Sequence, residues 1–298
     1  MTRVVVIGEL MTDTVARAHY PLAREGNTPS SVTTYGGGSG ANIASWLAVE
    51  GGDIALIGRR GSDITGRTRE MELMGYGVDA RMVMDPERPT GTCVVMVTHK
   101  GDRTTLSDPA ANAALQPEDL PRDLFTPDRH LHLSGHTLLN EGSRKAGRVA
   151  LSHAREMGMS VSVDAASHAQ LERIGAESFL EWTTGARLLF ANSRQAEVLT
   201  GRDDDEAAAK VLTAWYPNVV IKTSDESALW TAKGRDETIT VEAPPVETTP
   251  GSIGAGDAFV AGFLPPFLAN YHPKEALTNA HRLAARALIQ PGARPELT

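Results

Sequence analysis

Gly251-Ser252-Ile253-Gly254-Ala255-Gly256-Asp257-Ala258-Phe259-Val260-Ala261-Gly262-Phe263-Leu264 is a glycine-rich loop that opens directly into an apolar helix. A helix start presents N–H groups with no partner in their own helix and the positive end of the macrodipole, so it is a place for an anion. Gly254 and Gly256 would let a phosphate approach the backbone without meeting a Cβ. Asp257 falls in the first turn, beside that anion. Taken alone it reads as an acid that compensates the helix dipole, worth about 0.3–1 kcal/mol. Beside an anion hole it also suits a general base that takes a proton from a hydroxyl attacking a phosphate. The loop is not a P-loop, because no Gly-Lys-Ser/Thr occurs, and no Gly-x-Gly-x-x-Gly follows the first apolar run.

Upstream of this loop, strand and helix patterns alternate. Val4-Val5-Val6-Ile7 is continuous, β-branched and stopped by Gly8, which predicts a strand buried on both faces. Gly36-Gly37-Gly38-Ser39-Gly40-Ala41-Asn42 then leads into a helix with Ile43, Leu47 and Glu50 at helical spacing, closed by Gly51-Gly52. Strands are expected at 54–57, 92–98, 131–133, 160–163, 188–190 and 219–221, with a small β segment around 228–241. Helices are expected at 65–74, 143–157, 175–184, 193–200, from 256, and at 273–289. Such alternation predicts an α/β fold with a mostly parallel central sheet covered by helices on both faces. No repeat or Ser/Gly linker divides residues 1–298, so one domain is expected. Residues 11–35 and 81–107 are polar, Pro-containing and strand-like. They read either as surface excursions or as a small β-sheet lid over the strand ends.

Glycine is 28 of 298 residues, with no tract or period to absorb it, so it is expected where the backbone needs freedom. The net charge of −8 leaves no basic surplus for nucleic-acid phosphates, though an anionic small ligand held by backbone N–H groups stays possible. The single cysteine, Cys93, makes no intrachain disulfide and reads as a strand residue. The nine histidines show no zinc spacing, and His132 and His136 read as cleft, core or surface residues. The apolar run near the start is too short for a signal or membrane segment, so no membrane partner and a cytoplasmic location are expected.

Gly-Gly-Gly-Ser-Gly-Ala-Asn at 36–42 and Gly-Ala-Gly-Asp-Ala-Phe-Val-Ala-Gly-Phe at 254–263 resemble the two signature regions of the ribokinase-like (PfkB) carbohydrate kinase family. Their order and separation match, and the resemblance extends to Leu199-Thr200-Gly201 and Pro291-Gly292-Ala293-Arg294-Pro295. It implies a ribokinase-like fold with a small β lid and transfer of the ATP γ-phosphate to a sugar or nucleoside hydroxyl. It implies Asp257 as catalytic base and the N–H groups of Gly254, Ala255 and Gly256 as the anion hole. Asp13, Gly38 and Asn42 would touch substrate hydroxyls, with Asn112 near the lid hinge a further candidate. Without the family, Asp13 reads as a turn residue and Asn42 as a helix cap. Asp164, ending a strand, reads either as a ligand-facing acid or as a turn cap. The nucleotide side would involve Asn192, Lys222, Ser224 and Ser227. ATP and Mg²⁺ are the implied cofactors, with a monovalent cation a further candidate and no metal ligand assigned. A homodimer through the exposed lid edge is a further expectation.

The chain departs from the family pattern at named positions. Gln195 stands where an acid is usual after Asn192, and Glu197 lies about 200° round the helix from it. Ser224 and Ser227 replace two glycines under the nucleotide, at something like 1 kcal/mol each if those positions need φ > 0. Gly251 replaces an acid, and Pro265-Pro266 predicts a shortened or kinked helix. Three alternatives therefore stay open: a sugar-phosphate kinase using cations such as Arg103, Arg88 or Arg17, a nucleoside kinase, or a ligand-binding relative with impaired ATP use.

Overall fold

The computed structural model describes residues 1–247 and 253–297, so Gly251 lies outside the described residues. Among the described residues thirteen strands form two sheets. The large sheet contains β1 (Arg3–Ile7), β4 (Asp53–Gly61), β5 (Asp79–Asp85), β8 (His130–Leu133), β9 (Ser160–Asp164), β10 (Leu188–Asn192), β11 (Asn218–Lys222), β12 (Ser227–Ala232) and β13 (Ile239–Glu242). Its order is β13-β12-β11-β10-β9-β8-β1-β4-β5, parallel from β11 to β5 and antiparallel at β12 and β13. The small sheet contains β2 (Met11–Ala18), β3 (Ser30–Gly37), β6 (Gly91–Val97) and β7 (Arg103–Asp108), in the order β3-β2-β6-β7. Its β2–β6 pair is parallel and the other two are antiparallel.

Helices cover both faces of the large sheet. On one side pack α1 (Ser39–Val49), α2 (Ile64–Gly75), α9 (Ala255–Leu268) and α10 (Pro273–Leu288). On the other lie α3 (Gly135–Leu139), α4 (Glu141–Glu156), α5 (His168–Ile174), α6 (Ala176–Trp182), α7 (Ser193–Thr200) and α8 (Asp205–Leu212). The run Val4–Ile7 shows why β1 is central: Val4 and Val6 belong to the first core, Val5 and Ile7 to the second. Burial of each such side chain is worth about 1.5–3 kcal/mol. Among the described residues no helix is long and apolar enough to cross a membrane.

Three expectations change. The lid segment expected over 81–107 starts later, because residues 79–85 pair with β4 as the edge of the large sheet. As an edge strand β5 is mostly exposed or half-buried, and its short apolar run Met82-Val83-Met84 is flanked by Arg81 and Asp85 rather than fully buried like its neighbours. The helix expected at 175–184 runs over Ala176–Trp182, and a further short helix, His168–Ile174, precedes it and meets it at Gly175, whose φ is +86°. Finally, α9 is neither shortened nor ended at Pro265-Pro266; it continues to Leu268. Pro266 has no N–H for the carbonyl of Gly262, and Asn279 of α10 replaces it, its Nδ2 donating to Gly262 O at 2.6 Å. The helix α8 carries a signal that marks it: Asp204 caps Ala207 N, and Asp205 and Glu206 fill the first turn.

Asn279→Ala strips the donor that completes α9 and leaves Gly262 O unsatisfied. Chemical denaturation should show a loss of about 1–3 kcal/mol, with fold and binding retained.

Candidate active site

The carboxyl ends of the parallel strands converge on one edge of the large sheet, where ligands bind in such folds. A cavity of about 530 Å³ opens there, roofed by the small sheet. Alternate residues of the roof strands face it: Met11 and Asp13 from β2, Cys93 and Val95 from β6, Arg103, Thr105 and Ser107 from β7. The floor includes Glu9, Gly38, Ser39, Asn42, His136, Gly254 and Asp257.

Asp257 is fixed by two helix starts at once. It lies in the first turn of α9, and its carboxylate receives hydrogen bonds from the first turn of α1. Ser39 Oγ donates to Oδ1 at 2.7 Å and Asn42 Nδ2 donates to Oδ2 at 2.8 Å. Burial pushes its carboxyl up to about 6; the Asn42 and Ser39 bonds oppose this, the charge of Asp164 adds to it and Lys222 opposes it. Asp13 is also raised to about 6, by burial first and by the charge of Asp257 second, against Arg294 and Arg69.

Glycines permit this closeness. A Cβ on Gly37 would overlap the Asp13 carboxyl, and Gly38, at φ +92°, passes against the carbonyl of Glu9. Gly254 has φ +78°, and a Cβ there would lie 2.6 Å from that of Ala293. A Cβ on Gly256 would lie 2.8 Å from Lys222 Nζ. Gly254 and Gly256 thus make room for protein neighbours, a requirement separate from any phosphate. Arg294 closes the back of the site: its Nη2 donates to Gly37 O at 2.9 Å and its Nη1 to Glu72 at 3.2 Å.

The structure brings Asp13, Gly38, Asn42, Gly254 and Asp257 to one cavity. It places Asn42 on the acid, so its amide N–H is already engaged. Asn112 does not line the cavity. Its Oδ1 accepts from Leu10 N and its Nδ2 donates to the carbonyls of Leu10 and Pro109, clamping the β1–β2 turn to the end of the roof. All the polar atoms of that amide serve the hinge, so it has no donor left for a ligand.

Asn192, Lys222, Ser224 and Ser227 also lie outside the cavity lining. Asn192 caps α7: its Oδ1 accepts from Gln195 N, while Gln195 Oε1 accepts from Asn192 N. Gln195 Nε2 donates to Ala166 O at 2.6 Å, so both ends of that amide are engaged. Glu197 pairs with Arg194. Ser224 is exposed and Ser227 is buried in β12, and neither has a positive φ; the left-handed residue in that turn is Glu226, at φ +66°. The two serines therefore carry no backbone strain. Cys93 is half-buried and lines the cavity beside Asp13, its thiol raised to about 11 by burial and then by that acid.

Sequence reasoning missed Glu9, Ser39, Asn140, Ser167 and Gln170, all lining the cavity. Glu9 had a signal, standing two residues beyond a strand stopped by glycine. Ser39 had one too, as the first residue of the helix after the glycine run.

A roofed cleft at the carboxyl edge of a parallel sheet, with a helix-start acid on its floor, defines a group-transfer enzyme of the ribokinase-like architecture. The model of the pfkB family carbohydrate kinases matches residues 1–298, and the chain belongs to that family: it is an ATP-dependent kinase acting on a sugar hydroxyl. It is 29% identical over 303 residues to the ATP-dependent ribose-1-phosphate kinase of Halopiger xanaduensis, covering 99% of this chain and 94% of that one. Its fold matches the crystal structure of adenosine kinase from Sinorhizobium meliloti with a TM-score of 0.89 at 22% identity, covering 99% and 96% of the two chains. It matches an E. coli structure described as a ribokinase II in complex with ATP and Mg²⁺ with a TM-score of 0.82 at 23% identity, covering 98% and 94%.

The raised acids set a direction for stability against pH. Asp13 and Asp257 have folded values near 6 against an ordinary 3.8, so the folded state takes up protons first as pH falls. Stability should therefore gain from these groups between about pH 7 and pH 4. Asp13→Asn removes one penalty outright and should raise the unfolding free energy at pH 8 by about 1–3 kcal/mol. Denaturant titrations should show that gain shrinking towards pH 4.

Proposed function

We propose that Asp257 is the general base that takes the proton of the acceptor hydroxyl as that oxygen attacks the γ-phosphorus of ATP. The observation that carries this reading is the acid itself: a carboxylate raised to about 6, held by Ser39 and Asn42 at the start of α9, on the floor of the roofed cavity. A base of that strength is ionised at neutral pH yet strong enough to accept a proton in the transition state. The first-turn N–H groups around Gly254, Ala255 and Gly256 would stabilise the charge on the transferring phosphoryl group. Asp13, which makes no side-chain hydrogen bond of its own among the described residues, would accept hydroxyls of the sugar from the roof side. Closure of the small sheet would then exclude water from the phosphoryl group.

ATP and Mg²⁺ are proposed for this chain on the strength of the E. coli neighbour's bound pair. Among the described residues no group of three or more His, Cys, Asp or Glu side chains is arranged to hold a metal. Gln195 adds no charge and Glu197 is engaged elsewhere, so phosphate oxygens and water would provide most of the coordination of Mg²⁺. Bound there, Mg²⁺ would neutralise charge on the polyphosphate.

A second reading, a phosphorylated sugar as acceptor, is favoured by Arg103. Its side chain lines the cavity and has no carboxylate partner within salt-bridge distance among the described residues. Among the described residues no Phe, Tyr or Trp lines the cavity, which gives a nucleoside base no aromatic platform. The Halopiger relative is named for a sugar phosphate.

Asp257→Asn should lower kcat by about 10³-fold or more, with sugar and ATP still binding by calorimetry; substantial turnover in that variant would overturn the assignment. The acid limb of kcat/KM for the native enzyme should fall near pH 6. Arg103→Ala compared on neutral and phosphorylated pentoses and hexoses decides between acceptors. A loss at least about tenfold greater for the phosphorylated member supports the second reading, and equal losses support the neutral sugar.

A further inference from the structure

Beneath the site, a line of polar side chains crosses the core between β8 and β9. The sequence His130-Leu131-His132 runs in parallel register with Ser160-Val161-Ser162, and Asp164 ends the second strand. Period-two alternation puts both histidines and both serines on one face. Ser160 Oγ lies 2.7 Å from His130 Nδ1, His130 Nε2 lies 2.7 Å from Ser162 Oγ, and Ser162 Oγ lies 2.8 Å from His132 Nδ1. His132 Nε2 then stands 3.3 Å from Asp164 Oδ2, a charge contact rather than an aligned hydrogen bond, and both atoms are buried without a hydrogen-bond partner among the described residues. His132 and Ser162 are fully buried and His130 nearly so.

The two ends differ. Ser160 and His130 line a surface pocket of about 390 Å³ at the amino end of the strands, with Arg3, Asp128 and Arg187. Asp164 lies at the carboxyl end, where its charge acts on both Lys222 and Asp257. The line thus spans about 13 Å of strand, from solvent on one edge of the sheet to the floor of the site on the other.

Every intermediate member is a hydroxyl or an imidazole, groups that both donate and accept. With Asp164 ionised, its charge 3.3 Å away favours the hydrogen of His132 on Nε2, and the rest follows. Ser162 O–H donates to His132 Nδ1, His130 Nε2–H donates to Ser162 Oγ, and Ser160 O–H donates to His130 Nδ1. One proton added at Ser160 reverses the line. Ser160 passes its hydrogen to His130 Nδ1, His130 passes its Nε2 hydrogen to Ser162, and Ser162 passes its own to His132 Nδ1. Each O–H or N–H bond that breaks is matched by one that forms. The net result is one proton taken from solvent and one added to His132.

We propose that Ser160, His130, Ser162 and His132 form a proton relay through which the His132–Asp164 pair under the active site exchanges a proton with solvent on the far edge of the sheet. The charged and titratable groups acting on that pair are Lys222 of β11, His136 of α3 and Asp257 of α9, with Arg187 acting on His130 and the Phe190 ring edge against His132. The relay adjusts the charge opposite Lys222 and Asp257 without a path through a cavity filled by substrates. His130 supports this as a neutral carrier: burial, then His132 and Arg187, hold its value down to about 3. The chemical use of the relay rests on the kinase reading, whereas its existence does not.

The test is ¹⁵N NMR of the histidine side chains in the intact protein, alone and without nucleotide. Both His130 and His132 should carry a hydrogen on Nε2, with Nδ1 accepting from serine. Ser162→Ala cuts the relay in its middle, and Ser160→Ala cuts it at its half-exposed end with little risk to the core. Both should slow solvent exchange of the His132 N–H at least about tenfold, whereas a bond that served only packing would exchange faster once broken. An Nδ1–H tautomer at His132, or exchange unchanged or faster in the Ser160→Ala variant, overturns the relay whatever Asp257→Asn does to turnover.

Discussion

One carboxylate ties the molecule together. Asp257 takes hydrogen bonds from Ser39 and Asn42, 218 and 215 residues away in sequence, so the starts of α1 and α9 are locked face to face. Two positive helix ends would repel if brought together bare. The acid between them turns that repulsion into attraction, and it holds the acid in one orientation. The close packing around it follows: Gly37 against Asp13, Gly38 against Glu9, Gly254 against Ala293 and Gly256 against Lys222. Each of these glycines stands where a side chain would push one component of the site away from the others.

The same arrangement explains the electrostatics. Two acids, Asp13 and Asp257, lie near enough for Asp257 to raise Asp13, and both are drawn out of water. The protein places cations behind them: Lys222 acts on Asp257, and Arg294 and Arg69 on Asp13. These partners offset the burial without cancelling it. The acids keep values near 6, where a carboxylate can exchange protons with a hydroxyl at neutral pH.

Much of this was legible in the sequence. The run Val4–Ile7 announces a two-faced strand and the glycine clusters announce the two helix starts, because local patterns record local requirements. What could not be read was who uses each group. Asn42 and Asn112 are the same residue type in small-residue surroundings, yet one holds the Asp257 carboxylate and the other clamps a hinge. That difference lies in contacts across 215 and 102 residues, which no window along the chain contains. The edge strand β5 was legible as strand-like but not as part of the large sheet, because its pairing with β4 is a contact the local pattern does not record. Ser224 and Ser227 looked costly because glycine is expected there, but the strained position in that turn is Glu226.

The segment around Ala293 and Arg294 has a consequence for how the protein comes into being. Ala293 packs on Gly254, its carbonyl receives the Trp46 indole N–H, and Arg294 bonds to the carbonyl of Gly37. A ribosome makes residues 8–42 early and this segment about 250 residues later. Until that segment is made, the turn at Gly37 lacks the guanidinium behind its carbonyl and the bend at Gly254 lacks the side chain it packs on, so the cleft is assembled only after this late segment docks.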